Sequence, residues 1–330
     1  MVFWSSCSIY NTIHSLFTNQ PFISTSINKE SVSSPTGKSC EIYNQTNADH
    51  TILNEIQTYL RTHFGVPPLK PVLQFTGINP LCENDIILIV RDISEQIVGC
   101  IRYHYIGKLL TAMNKPPMFV VDCFCVHPEW RKKGVGDYLL TELNRYVNSH
   151  KIPYSLFLKE GGILPIIQLP LYKGIYVYRE LNPTILSTNV IHVNTEIAYR
   201  FLKIYSILHA NTLIIGDKTI PNQNWVRYKK GLNQIWACIQ DTYQVIKEEG
   251  KDKKIGWITA WLECGEITDE IRSESSIQIS NLFYPQFDFI WMNQEWSGNN
   301  SLWKVDGTFY FYTYQWDTCL KMHPSYCMIQ

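Results

Sequence analysis

The run from Val120 to Gly136 constrains this chain most. An apolar strand, Val120-Val121-Asp122-Cys123-Phe124-Cys125-Val126, passes through His127-Pro128-Glu129-Trp130 into a basic, glycine-bearing turn, Arg131-Lys132-Lys133-Gly134-Val135-Gly136. A helix follows, marked by Leu139, Leu140, Leu143, Tyr146 and Val147 on one face. A strand that feeds a helix this way requires a fold in which helices pack on a sheet. It also sets the chemistry of the junction. Glycine at 134 and 136 lets backbone N–H groups approach an anion with no Cβ in the way. The helix N-terminus adds partial positive charge, and Arg131, Lys132 and Lys133 add more at the rim. An ordinary charged turn would share this composition; the strand–turn–helix frame favours a phosphate cradle.

The strand has a second use. If it bulges near Cys123–Phe124, the freed N–H groups of those residues, with Cys125 and Val126 beyond them, can face a thioester carbonyl. Such donors stabilise a developing oxyanion by about 3–4 kcal/mol each. A plain core strand with every amide in the ladder is the alternative. Pyrophosphate on the turn and a carbonyl beside the strand together suit an acyl-coenzyme A.

The flanking segments give this junction a setting. Leu53, Ile56, Leu60 and Phe64 repeat at helical spacing from about Ala48, and Gly65-Val66-Pro67-Pro68 ends that helix. Ile86–Val90, Ile97–Tyr105 and Met118–Val126 read as three strands, and Pro153–Leu158 as a fourth after the second helix. This helix, meander, helix, strand order is that of the acyl-CoA acetyltransferase-like (GNAT) fold. A weaker echo follows: a helix over 195–209, strands Tyr243–Ile246 and Ile255–Leu262 joined by the charged turn Lys247–Lys254, then strands at Phe287–Trp291 and Thr308–Trp316. The expected class is therefore α/β (α+β), with two GNAT-like halves, residues 1–184 and 185–330, on one continuous mixed sheet. Residues 24–49, rich in Ser, Thr and Asn, read as a loop or arm.

Composition narrows the partners. Lys+Arg and Asp+Glu both total 29, so no basic field exists for nucleic acid. No run of 18 apolar residues is present, and the first residues lack the pattern of a signal peptide. Val2 stands where a myristoylation acceptor needs glycine. The 10 cysteines form no CxxC pair, so no metal is expected, and free thiols suit the cytoplasm of a monomeric protein. His104 and His127 are candidate proton carriers, with a structural role favoured for His127 beside the turn. The aromatic residues from Trp291 to Trp316 have few cations among them and read as packed strands rather than a base-stacking surface.

Four ordered segments resemble glycylpeptide N-myristoyltransferase, a tandem GNAT-fold family. Phe17-Thr18-Asn19-Gln20-Pro21-Phe22 resembles its F-W-x-T-Q-P-V, and Val120–His127 its E-I-N-F-L-C-V-H. Gly161-Gly162-Ile163-Leu164-Pro165 with Tyr176–Pro183 resembles its G-V-V-L-P and R-Y-W-H-R-S-L-N-P. Lys304–Trp316 resembles its G-D-G-N-L-Q-Y-Y-L-Y-N-W. The resemblance implies that Phe17, Gln20 and Pro21 wrap an acyl-CoA co-substrate, with no permanently bound cofactor. It implies a long acyl chain transferred to the N-terminal glycine amine of a peptide or protein. The closing Cys327-Met328-Ile329-Gln330 implies that the Gln330 α-carboxylate removes the proton from that amine. An α-carboxyl near pKa ~3.5 must reach toward an ammonium near ~7.8, which burial worth up to ~3–5 units would largely allow.

The chain departs from the family at several places. Asp122-Cys123-Phe124 replaces N-F-L, Lys159-Glu160 replaces a Thr-Ala pair, and Glu263–Ser276 is polar and acidic where the family lines its peptide groove. An acetyl-CoA-dependent GNAT N-acetyltransferase, which the R-x-x-G-x-G turn fits well, and a non-catalytic acyl-CoA-binding descendant remain the alternative readings.

Overall fold

The computed structural model describes residues 33–64, 84–152, 154–163, 170–182, 189–248 and 250–314, with the backbone of Phe22–Ile23, Leu73–Phe75 and Trp316–Asp317. Phe17, Gln20 and Pro21, expected to wrap an acyl-CoA, and the terminal Gln330 lie outside the described residues.

The first half runs β1 (Glu41–Asn44), α1 (His50–His63), β2 (Ile86–Arg91), β3 (Ile97–Leu109), β4 (Pro117–Val126), α2 (Val135–Ser149), β5 (Ser155–Glu160) and β6 (Tyr172–Glu180). The second repeats the pattern as β7 (Val190–Val193), α3 (Thr195–Leu208), β8 (Asn224–Lys230), β9 (Asn233–Glu248), β10 (Lys251–Cys264), α4 (Asp269–Asn281), β11 (Phe289–Asn293) and β12 (Lys304–Tyr314). Helix α1 starts where the Asp49 carboxylate accepts the Ile52 N–H at 2.9 Å. Its Ile52, Ile56, Tyr59 and Leu60 face packs on Ile87, Ile89, Cys100, Cys123 and Cys125. Helix α2 buries Val135, Leu139, Leu140, Leu143 and Val147 against the other face of the sheet. Each such side chain contributes about 1.5–3 kcal/mol on leaving water.

These strands form one mixed sheet in the order β1-β2-β3-β4-β5-β12-β6-β11-β10-β9-β8-β7. The order is a palindrome under exchange of the halves. In each, a meander leads through a helix to a parallel partner: β5 beside β4, and β11 beside β10. The last strands are exchanged. β6 pairs with β11 of the second half, β12 pairs with β5 of the first, and β6 and β12 pair with each other at the centre. The expected continuous mixed sheet is therefore present, closed at its middle by the exchange.

Three local readings are revised. Within the expected loop over 24–49, Glu41–Asn44 is an edge strand on β2, tied down by Arg91, which bonds Glu41 at 3.1 Å and Glu55 at 2.5 Å. The polar Glu41 and Asn44 hide the alternation that would have revealed it. The charged turn Lys247–Lys254 is mostly strand: Lys247 faces Asp252 and Glu248 faces Lys251 across the β9–β10 hairpin, so opposite charges support the ladder. The acidic stretch after Glu263 contains helix α4, capped by Thr268. Its buried face includes Ser275, Ser276 and Ser280, which gives no apolar period to read. There the Trp303 indole N–H donates to Ser276 Oγ at 3.1 Å. The late tryptophans are buried as expected, Trp291, Trp296 and Trp303 all lying in the core.

Candidate active site

The site begins where β4 and β5 part. Their parallel pairing covers Phe119–Val121 against Ser155–Phe157 and then stops. From Asp122 to Val126, β4 continues without β5 beside it. On its other edge β4 carries a bulge. Asp122 faces Arg102 and Cys125 faces Cys100, so Cys123 and Phe124 together oppose Ile101 alone. Cys123 sits at φ 48°, a left-handed conformation that costs a residue with a Cβ about 1–2 kcal/mol. A bulge breaks the ladder and redirects its amides. Thus an opening and a bulge coincide at the residues expected to face a thioester.

The basic turn lies at the end of the same strand. Arg131 donates from Nε to the Val126 carbonyl at 3.1 Å, which anchors the turn to β4. Lys132 (φ 63°) and Gly134 (φ 87°) both take left-handed backbone, and Gly134 caps α2 with no side chain occupying the helix end. A Cβ at Gly136 would come within 3.2 Å of Phe124 Cζ, so glycine here lets the first turn of α2 lie directly on the bulged strand. Lys133 rests over the Trp130 ring at 5.1 Å. Cys123, Phe124, Cys125, Val126 and Arg131 through Gly136 are therefore gathered on one strand–turn–helix unit.

Helix α1 supplies residues that sequence reading missed. Tyr59 donates its hydroxyl to the Cys125 carbonyl at 3.4 Å, and the His63 ring meets that of His127 at 4.4 Å. Burial, with His127 and Arg131 nearby, lowers the His63 pKa, so its ring is neutral at physiological pH. His127 itself accepts the Glu129 N–H on Nδ1 at 3.3 Å, a structural use in line with the expectation. The i, i+4 spacing of Tyr59 and His63 on α1 was the available signal, but nothing local connects it to β4.

The cysteines contribute backbone rather than sulfur. Burial raises the thiol pKa of Cys123 well out of the physiological range, with the Asp122 charge adding to it, and burial pushes Cys125 up to about 11. Cys100 and Cys238 shift the same way, mainly through burial. A thiolate acyl carrier on β4 is thus disfavoured. We expect iodoacetamide at pH 7.5 to leave Cys100, Cys123, Cys125 and Cys238 unmodified in native protein and to modify all four after denaturation, read by peptide mass mapping. The linkage has a definite sign. A folded pKa raised above the unfolded value contributes stability below pH ~8.5 that is lost as pH climbs through the folded values. The denaturation midpoint should accordingly fall above about pH 9.

Two side-chain pairs stand on β3 beside this opening. Arg102 grips Asp122 through Nε and Nη2 at 2.7 and 2.5 Å. His104 Nδ1 lies 2.8 Å from Asp85 Oδ2. Asp85, Arg102 and Asp122 carried no motif; only strand pairing and folding bring them together.

This splayed, bulged strand with a helix N-terminus beyond it is the arrangement of a GNAT acyltransferase fold, and residues 83–173 match the acetyltransferase (GNAT) domain. Over most of its length the fold is similar to that of N-myristoyltransferase. It superposes on Saccharomyces cerevisiae N-myristoyltransferase with bound myristoyl-CoA at TM-score 0.63, with 13% identity, covering 96% of this chain and 89% of that one. The same yeast enzyme with bound myristoyl-CoA and inhibitors gives 0.59 at 13% identity over 88% and 83%. A further structure of it with bound myristoyl-CoA gives 0.56 at 14% identity over 88% and 86%. No curated protein gives a significant match in sequence. Among the described residues no helix is long and apolar enough to cross a membrane.

Proposed function

We infer that this protein is an acyl-CoA-dependent N-acyltransferase that moves a long acyl chain, of the myristoyl class, to the amine of a peptide or protein beginning with glycine. The observation that carries the reading is the coincidence at one point of the β4–β5 parting, the Cys123–Phe124 bulge and the open N-terminus of α2. Residues 1–184 hold the acyl-CoA and residues 185–330 the acceptor. The pyrophosphate rests on Arg131–Gly136, where the α2 dipole and three cations face it. The thioester lies in the β4–β5 opening, and the amides of Cys123 and Phe124 take the charge that develops on its oxygen. With the thiols held protonated, the amine attacks the thioester directly and coenzyme A leaves. The likeness to an enzyme with bound myristoyl-CoA supports the long chain; the Arg131-x-x-Gly134-x-Gly136 turn supports acetyl-CoA as the second reading.

The deciding experiment is mass spectrometry of protein mixed with acyl-CoA of graded lengths and a pool of N-terminal-glycine peptides. Peptide mass should rise by one myristoyl group in the C14 reaction. Transfer of acetyl alone would replace the long-chain reading with the acetyltransferase. Acyl-CoA binding without any transfer would leave a non-catalytic carrier.

A further inference from the structure

On the face of β3 opposite Tyr103 and Tyr105, a polar band separates two apolar clusters. Cys100, at one end, packs in the α1 cluster with Cys123 and Cys125. Ile106, at the other, packs with Met118, Val120 and Leu156. Between them stand Arg102 and His104, 4% and 2% exposed. Arg102 uses Nε and Nη2 on Asp122, and its buried Nη1 has no partner among the described residues. His104 Nδ1 faces Asp85 Oδ2, while the other oxygen of that carboxylate accepts the Tyr105 N–H at 2.7 Å. A carboxylate only accepts, so Nδ1 carries a proton, and in the neutral imidazole Nε2 holds the lone pair. That buried Nε2 also has no partner among the described residues.

In the neutral ring Nε2 is thus an unmatched acceptor on the same strand face as the unmatched donor Nη1, their residues two apart with Cα atoms about 6–7 Å from each other. Buried polar groups are normally paired, so two neighbouring exceptions call for a ligand. Their level in the sheet is informative. Arg102 lies opposite Asp122, one residue past the last β4–β5 pair, and His104 lies opposite Val120, one residue before it. They straddle the point where the strands part, one strand, or about 5 Å, from the opening.

The geometry points to a pocket for the amine end of the acceptor, the rest of which lies on residues 185–330, in which His104 Nε2 takes the proton of the incoming amine and Arg102 Nη1 donates to an oxygen of the same acceptor. This rests on the acyl-transfer reading. The acceptor is thereby a primary amine whose neighbouring carbon bears a carbonyl or carboxylate, as in an amino acid or a peptide N-terminus. A plain alkylamine fills only half the pocket. An acceptor arriving as ammonium gives one proton to Nε2 on entry. Its nitrogen then forms the C–N bond as the thioester C–S bond breaks. The second proton passes from nitrogen to the departing sulfur, so coenzyme A leaves as the thiol and the imidazolium returns its proton to water. Asp85 is a positioning residue that holds the tautomer. Among the described residues, Asp85 pairs with His104 and the Arg102–Asp122 pair stands two residues along the same strand.

Histidine-selective 15N NMR tests this on the intact protein, with the His104 signals assigned by loss in His104→Gln. Glycinamide and glycine should shift the Nε2 resonance, with or without coenzyme A. N-acetylglycinamide should not, and ethylamine should bind about tenfold more weakly than glycinamide. Arg102→Met should remove that tenfold preference. In the acyl-transfer assay, His104→Gln should lower kcat by about 100-fold or more with little change in KM. It should also abolish the acidic limb of the kcat–pH profile, and Asp85→Asn should shift that limb. No Nε2 response to any amine overturns the pocket, as does a His104→Gln enzyme with wild-type kcat and pH profile. Should acyl-CoA fail to bind at all, the acyl-transfer reading falls, while the imidazole titration without coenzyme A still decides the pocket. Should His104→Gln misfold, the pattern of probes on wild-type protein decides it.

Discussion

Arg131→Glu combined with Lys133→Glu should raise the dissociation constant for coenzyme A about 100-fold. Hydrogen bonds to charged groups are worth about 1.5–3 kcal/mol each. Losing two at a partly exposed rim removes about 3 kcal/mol, and each 1.4 kcal/mol is tenfold. The fold should not suffer. Arg131 makes one exposed bond to the Val126 carbonyl, and Lys133 rests on Trp130. Substitutions of this kind stay within about 0.5 kcal/mol. Isothermal titration with coenzyme A at low and high salt checks the effect, and wild-type binding should itself weaken with salt as the rim charges are screened. Unchanged affinity in the double variant would remove the turn from the cofactor site.

Gly174→Val should produce the largest loss of stability at any single position considered. Gly174 on β6 faces Phe309 on β12, at the seam where the halves exchange strands. An added Cβ would fall 2.2 Å from Phe309 Cζ and 2.6 Å from Cε1. The ring has nowhere to go, since it is 1% exposed and stacks on Tyr176 at 4.1 Å. Overpacking commonly costs about 1–3 kcal/mol. A clash this deep at the central seam should exceed that range and lower the melting temperature by on the order of 5 °C. Adding Phe309→Ala to Gly174→Val should recover part of the loss. Thermal unfolding followed by circular dichroism decides it; a Gly174→Val protein as stable as wild type would mean that the seam is looser than the packing indicates.

Much of the first half was legible because its signals are local. The apolar runs at Ile86–Val90 and Met118–Val126, the helical period of Ile56 and Leu60, and the glycine turn each act within a few residues. The same holds for the cofactor side of the site, since Cys123 through Gly136 is one continuous segment. What escaped was non-local. Strand β1 shows its purpose only when Arg91 reaches Glu41 and Glu55. Helix α4 buries serines, which bond carbonyls one turn back, while Ser276 also meets Trp303 and Ser297 from beyond the helix. Asp85 and Arg102 look unremarkable in sequence, and His104 stands out only as a candidate proton carrier, because a polar residue in an apolar strand identifies neither its partner nor the atom left over.

By itself, then, the sequence determined that a strand, a basic glycine turn and a helix would meet in a GNAT-like half, and that a second such half would follow. Those outcomes depend on periodicity and backbone freedom, which are properties of neighbouring residues. Only the tertiary structure decided that the halves trade their last strands, that β4 bulges at the level where β5 leaves it, and that a buried imidazole and guanidinium each keep one nitrogen unmatched there. Those depend on which strands lie side by side, and strand pairing is settled by burial across the whole sheet rather than within any segment.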